Sequence, residues 1–149
     1  MLVAPSSFTL NVVNPCSGTI VSSTSVSDIT LVVWDLEKFY PVSGAAFTDF
    51  TDSISTLNSV ANMCAKTYSA TVTTNSGGNS LTNFLLDTGL KQFKISSQNY
   101  NQIGTYTVTL TGSITDFPSQ SAQTTFTITV TDPCLTTTLI QPSTPLDAM

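Results

Sequence analysis

Apolar residues recur at every second position in several short runs of this chain. The clearest runs are Thr105–Thr111, where Tyr106, Val108 and Leu110 alternate with threonines, and Thr125–Thr131, where Phe126, Ile128 and Val130 do the same. A period of two buries one set of side chains and leaves the other in water, which describes a strand. Weaker forms of the pattern lie at Cys64–Thr73, through Tyr68, Ala70 and Val72, and at Phe93–Ser96. Ile29–Trp34 is dense in β-branched residues and reads as a strand buried on both faces near its middle. Ser17–Ser27 is polar and β-leaning, with Ile20 and Val21 as anchors. Tyr40-Pro41-Val42 reads as extended, because the residue before a proline is pushed out of the helical region. Phe47 and Phe50 have helical spacing, but Thr48 and Thr51 favour strand, so an irregular strand is expected there. Ser55–Met63 reads as a loop or one short helical turn. The connections are Asn75–Ser80, a tight turn where Gly89 is free to take a positive φ, and Gly112–Gln120 with Pro118. Short strands between such turns, with no helical period, predict an all-β antiparallel sandwich.

One strand is written twice. Phe8-Thr9-Leu10-Asn11-Val12-Val13-Asn14-Pro15-Cys16 and Phe126-Thr127-Ile128-Thr129-Val130-Thr131-Asp132-Pro133-Cys134 both read Phe-Thr, then an apolar residue at every second position, then Asn or Asp, then Pro-Cys. Two copies flanking one domain's length of chain describe a repeat unit, with the end of another in front of it. The expected division is a lead-in and strand at 1–14, the sandwich at 15–134, and a Thr/Pro-containing linker or arm at 135–149. Phe126, Ile128 and Val130 belong to the last strand of the module. Phe8, Leu10 and Val12 cannot share that slot, and an alternating strand left alone exposes its edge and its apolar face. Three arrangements answer this: an extra strand packed at home, a strand of a preceding domain, or a strand donated to another copy. Donation is a head-to-tail contact, which grows open filaments unless the ring closes.

Composition narrows the function. Charged residues are 9% of the 149, with four basic residues and a net charge of −5. A basic face for phosphate is lacking, so nucleic acid is not an expected partner. No apolar run approaches the length of a spanning helix, so membrane insertion is not expected. Met1–Pro5 lacks the charged start and apolar core of a secretory signal, and the chain reads as a mature form or as a section of something longer. There is no histidine. That removes Ser-His and Cys-His pairs and the usual neutral-pH proton carrier. Asp49 with Asp52, and Asp35 with Glu37, form no recognisable catalytic pair and read as solvated loop charges. Gly77-Gly78 reads as a turn, not a phosphate loop. No enzyme activity and no cofactor are implied.

A family resemblance appears in the second half. Asp87-Thr88-Gly89-Leu90, then Gln102-Ile103-Gly104-Thr105-Tyr106-Thr107-Val108, then Thr125–Asp132, resemble the end of a cadherin-like, dystroglycan-type Ig domain. The Asp/Asn-Pro-Cys punctuation followed by Leu135-Thr136-Thr137-Thr138-Leu139 resembles tandem Ig-like repeats of large surface proteins of microbial eukaryotes. The resemblance is best over 80–139 and implies an Ig-like (cadherin-like) sandwich with terminal strand and linker extensions, used extracellularly in adhesion or surface filaments. Cadherin calcium clusters are absent, and Asp132 alone does not supply the six or more oxygens calcium takes.

There are three cysteines, so one is left over. Cys16 and Cys134 hold equivalent places in successive units, and Cys64 has no equivalent. The natural pairing is Cys16 with Cys64, leaving Cys134 for the counterpart of Cys64 in another unit or subunit. The alternative is three free thiols in a reducing compartment.

Two functions from different classes follow. The first is a non-catalytic structural subunit of an extracellular filament or coat, whose partners are identical copies or neighbouring repeats. The second is an adhesion or carbohydrate-binding module, with Trp34, Tyr40, Tyr68 and Tyr100 as contacts if several are exposed together. Trp34 itself is expected mainly in the core or at a strand edge. No Asn-x-Ser/Thr sequon occurs. Thr136, Thr137 and Thr138 stand beside prolines and leave room for O-linked sugar, while threonine is equally a plain β-former.

Overall fold

The alternation around Tyr106 builds the longest antiparallel pair in the protein. In the computed structural model, which describes residues 7–34, 38–40, 47–59, 63–136 and 138 (backbone alone for 38–40 and 136), strand β8 (Gly104–Ile114) pairs with β9 (Phe117–Thr131). Tyr106, Val108, Leu110, Ile128 and Val130 turn inward and are shut off from water. Every outward position of β5 from Thr67 to Thr71, of β8 from Thr105 to Ser113 and of β9 from Thr125 to Thr131 is Thr or Ser.

Around that pair the other described strands are, in chain order, β1 (Val21–Ser22), β2 (Ile29–Val32), β3 (Lys38–Tyr40), β4 (Thr51–Asp52), β5 (Lys66–Val72), β6 (Asn83–Asp87) and β7 (Gln92–Ser96). They form a four-stranded sheet β2-β9-β8-β5, a facing three-stranded sheet β3-β7-β6, and the small pair β1-β4. The inner faces meet at Phe93, whose ring lies 4.9 Å from Phe126, 5.7 Å from Phe84 and 5.9 Å from Phe47 between centroids. This is an all-β, Ig-like sandwich.

One pair departs from the antiparallel expectation. β2 runs parallel to β9, with Ile29 opposite Ile128 and Val32 opposite Thr131. The Asp28 carboxylate accepts the Thr127 N–H at 2.7 Å and sets that register. The bond also holds the Asp28 carboxyl below its usual range. β2 then alternates, with Ile29 and Leu31 inward and Thr30 outward, so it is buried on one face and not two.

A second hallmark sits where β7 turns into β8. The Tyr106 hydroxyl donates to the Gln102 carbonyl at 2.7 Å, inside the core. A tyrosine at the start of that strand bonding backwards is the corner found in immunoglobulin-type sandwiches. Burial pushes the Tyr106 phenol up. Gly104 takes φ +139 at this corner, and Asn75 packs against the space a side chain would fill.

Several local expectations are corrected. Phe8–Val13 is not a strand and does not pack at home: Phe8 is 88% exposed, and Leu10, Val12 and Val13 are also bare. Phe47 and Phe50 lie outside any strand, yet both rings are buried, because they plug the end of the sandwich against Tyr68. Ser53–Asn58 is a short helix, α1, with Asp52 at its N-cap. The positive φ beside Gly89 falls on Lys91, at 50°. Gly112 belongs to β8 and Pro118 to β9, and the turn between them is only Thr115-Asp116. The register shifts between Ser113 and Ile114, which is the irregularity that admits a proline. Ile20 is exposed, and Val21 alone of that pair is buried.

Candidate functional site

The repeated Asx-Pro-Cys sequence folds the same way twice. At the entry turn, Asn14 Oδ1 accepts the Cys16 N–H at 3.0 Å and a 3-10 turn follows over Pro15–Gly18. At the exit turn, Asp132 Oδ1 accepts the Cys134 N–H at 2.8 Å and a 3-10 turn follows over Pro133–Thr136. The reason is local. An Asn or Asp side chain bonds its own backbone two residues on, and proline at the first turn position needs no N–H partner.

The two turns lie at opposite ends of the sandwich. Gln120 Nε2 donates to the Ser17 carbonyl at 3.1 Å, so the entry turn sits beside the beginning of β9. The exit turn follows its last residue, Thr131. At about 3.3 Å per strand residue, the distance between them is roughly 35 Å.

The entry end is tied down. Cys16 and Cys64 form a disulfide with Cα atoms 5.6 Å apart. Beside it the Asp52 carboxylate does three things at once. It caps α1 through Ser55 N at 2.7 Å, accepts from Thr19 Oγ1 at 3.4 Å and pairs with Lys66 Nζ at 2.6 Å. Lys66 also donates to the Cys64 carbonyl at 3.3 Å. Nearby, Asp49 pairs with Lys91 and accepts the Tyr68 hydroxyl at 3.0 Å. Asp49 and Asp52 are therefore ion-paired groups and not the solvated charges expected. Burial raises the Asp49 carboxyl, but Lys91 and Tyr68 outweigh it and hold it low. Burial, with Asp49 alongside, pushes the Tyr68 phenol up to about 12. Asp35 and Glu37 lie outside the described residues. A shallow cleft of about 450 Å³ lies over Asp49, Lys66, Tyr68 and Lys91, and one of about 360 Å³ runs along Ile20, Ser22 and Leu57.

The exit end is open. Cys134 is exposed and free. Trp34 is 57% exposed and Tyr100 48%, with ring centroids 6.3 Å apart, tilted by 59°. Trp34 is thus a surface residue and not part of the core. It holds φ 70, a left-handed conformation that costs a bulky residue about 1 kcal/mol. Burial, then the nearby Cys134 and Asp132, push the Tyr100 phenol up. Leu135 adds a further bare apolar side chain.

Of the four aromatic candidates, then, two are brought together. Tyr68 is drawn into the sandwich end between Phe47 and Phe50. Tyr40 ends β3, and its side chain lies outside what is described, as does all of Thr137. Thr136 ends the exit 3-10 turn, and Thr138 is exposed. Phe126, Ile128 and Val130 line the core. Sequence reasoning missed two polar hubs that stiffen the exit end. Asn75 donates to the Asn101 and Ile103 carbonyls and accepts from Gly77 N and Asn79 N. Buried Gln102 joins Ser97, Ser80 and Thr82. Only the loop composition around Asn75 hinted at either. Among the described residues no three His, Cys, Asp or Glu side chains gather as a metal site, and no helix is long and apolar enough to cross a membrane.

Fold and ends together define a disulfide-bonded Ig-like module with matching turns at its two poles. No protein-family model matches the chain, and no curated protein does. A SusE-like surface-located polysaccharide-binding protein from the heparin utilisation locus of Bacteroides thetaiotaomicron is similar in structure, with TM-score 0.45 and 17% identity over 76% of this chain. This chain spans 15% of that protein's length.

Proposed function

We propose that this chain is a non-catalytic structural module of an extracellular filament or surface coat, one of a series joined end to end. The observation that carries the reading is the pair of Asx-Pro-Cys turns, built alike at opposite poles. The exit turn of one module then serves as the entry turn of the next, and Cys134 takes in that next module the place Cys16 takes in this one. The disulfide supports an oxidising location. The bare apolar residues support contact at both poles: Ile20, Leu57 and Met63 near the entry, Trp34, Tyr100 and Leu135 near the exit. The resemblance of residues 80–139 to cadherin-like repeats fits the same picture.

The test is a fusion in which residues 1–131 run directly into residues 14–149, so that Asn14-Pro15-Cys16 forms the junction. Small-angle X-ray scattering is expected to give a stiff rod about two modules long, with a Cys16–Cys64 bridge in each half by mass spectrometry. A freely hinged pair would overturn the reading.

A second reading is a carbohydrate-binding module. The observation in its favour is that Trp34 and Tyr100 stand exposed side by side. Amphipathic rings of this kind suit a sugar face. A glycan array probed with the chain and with a Trp34→Ala, Tyr100→Ala variant separates the two. Binding lost in the variant supports this second reading, and an empty array counts against it.

A further inference from the structure

We propose that Phe8–Val13 is the closing strand of a neighbouring sandwich of this same kind, filling there the slot that Phe126–Thr131 fills here. The inference rests on the end-to-end reading and names the contact it requires.

The slot is well defined by its present occupant. Phe126 packs on the Phe93 ring, Ile128 lies opposite Tyr106, and Val130 opposite Gly104, all three closed to water. The strand is held on both sides, antiparallel by β8 and parallel by β2. Phe8, Leu10 and Val12 repeat those three inward positions with residues of matching size and polarity. Thr9 repeats Thr127, whose N–H the Asp28 carboxylate takes. Asn14 and Asp132 then cap the turn that follows in each copy. Asn11 and Val13 differ from Thr129 and Thr131, and these are two of the three outward positions, where the slot makes the least demand.

In its own module the segment has no such place. Phe8, Leu10, Val12 and Val13 are each more than 70% exposed. Four large apolar side chains in one short stretch of water-facing chain mark a surface that is covered in use. The slot at home is occupied by β9, so the cover comes from another module.

The experiment uses the full chain with its closing strand rewritten as its twin, by the substitutions I128L, T129N, T131V and D132N. One cooperative melting transition is expected, with a midpoint within about 5 °C of the parent, since the core volume is conserved. A companion variant, F126T/T127F/I128N/T129L, exchanges neighbours within the first two pairs and so turns its Phe and Leu to the wrong face. It is expected to lose the transition. Loss of the transition in the rewritten chain, or its survival in the companion, would overturn the proposal. A fusion of residues 1–125 to residues 8–149 gives the direct readout, because Phe8–Val13 is then the closing strand offered to the first module. Two modules' worth of amide protection, including Leu10 and Val12, is expected, and one module's worth would overturn the assignment. The fusion that tests end-to-end joining has no Phe8–Val13 at its junction. A stiff rod there with a failed rewrite rejects the strand assignment alone, and a hinged pair with a folded rewrite rejects the end-to-end reading.

Discussion

Lys66 Nζ lies 2.6 Å from Asp52 Oδ2, and both side chains are shut off from water beside the disulfide. Burial raises the Asp52 carboxyl, but Lys66 and the Ser55 N–H outweigh it and hold it at about 2, below its ordinary 3.8. A carboxyl lower in the folded state than in the unfolded contributes stability above about pH 4 and loses it as the pH falls through its folded value. The loss here is about 2–3 kcal/mol. Unfolding free energies from urea titrations between about pH 5 and about pH 2 are expected to fall by most of that amount, and Asp52→Asn to flatten most of the slope. Asp28 and Asp49, also held low, contribute to the slope that remains.

Removing one partner of that pair is expected to cost more than removing both. Lys66→Met leaves a buried carboxylate uncompensated, at about 3–5 kcal/mol. Asp52→Asn added to it keeps the cap on α1 and removes the charge, so the double variant is expected to recover much of the loss. Equilibrium urea unfolding of the two single variants and the double variant measures the difference.

The Cys16–Cys64 bridge closes a loop with a sequence separation of 48. In the chain-entropy account that contributes about 4 kcal/mol, and the paired Cys16→Ser, Cys64→Ser variant is expected to melt roughly 15 °C lower. Without reductant, iodoacetamide is expected to label Cys134 alone. Label on Cys16 in unreduced material would contradict the bridge.

Tyr106→Phe keeps the ring and deletes one hydroxyl. The Gln102 carbonyl then has lost its partner inside the core, which costs about 1–3 kcal/mol. A variant as stable as the parent would show that the corner bond does not hold β8 to the turn before it.

Gly112 lies under two rings. A methyl group there would stand 2.6 Å from Phe50 Cδ2 and 2.8 Å from Tyr68 Cε1. Neither ring moves freely, since the Tyr68 hydroxyl donates to Asp49 and accepts the Phe50 N–H. Gly112→Ala is expected to destabilise by about 1–3 kcal/mol in thermal or urea unfolding.

The strands legible in the sequence were those whose period of two is clean, such as Tyr106–Leu110 and Phe126–Val130. There a buried face and a wet face are written directly into the chain. At Phe8–Val13 the same local signal left the placement open, because alternation states that a strand has a buried face but not which sheet supplies it. The ion pairs escaped notice for a related reason. Asp52 and Lys66, or Asp49 and Lys91, meet only after the chain has crossed between sheets, and no spacing along the sequence records that. Trp34 was expected in the core or at a strand edge, because large aromatics usually pack. Its exposure follows from a left-handed turn at the end of β2 that no residue type there announces. Pro118 read as a loop breaker, whereas a register shift opposite Ser113 lets a proline sit within the strand.

The outer face of β5, β8 and the second half of β9 offers water hydroxyl and methyl groups and no ionisable side chain. Apart from Asp28, whose carboxylate meets β9 at the Thr127 N–H, the acid chemistry described above happens elsewhere, so a change of pH or salt leaves the rest of this face as it was. Counter-ions have nothing there to gather around, and screening has nothing to weaken. Along a series of such modules this becomes a strip of constant hydration, and the flank of the series would keep the same solvation in dilute or concentrated salt while its poles respond to both.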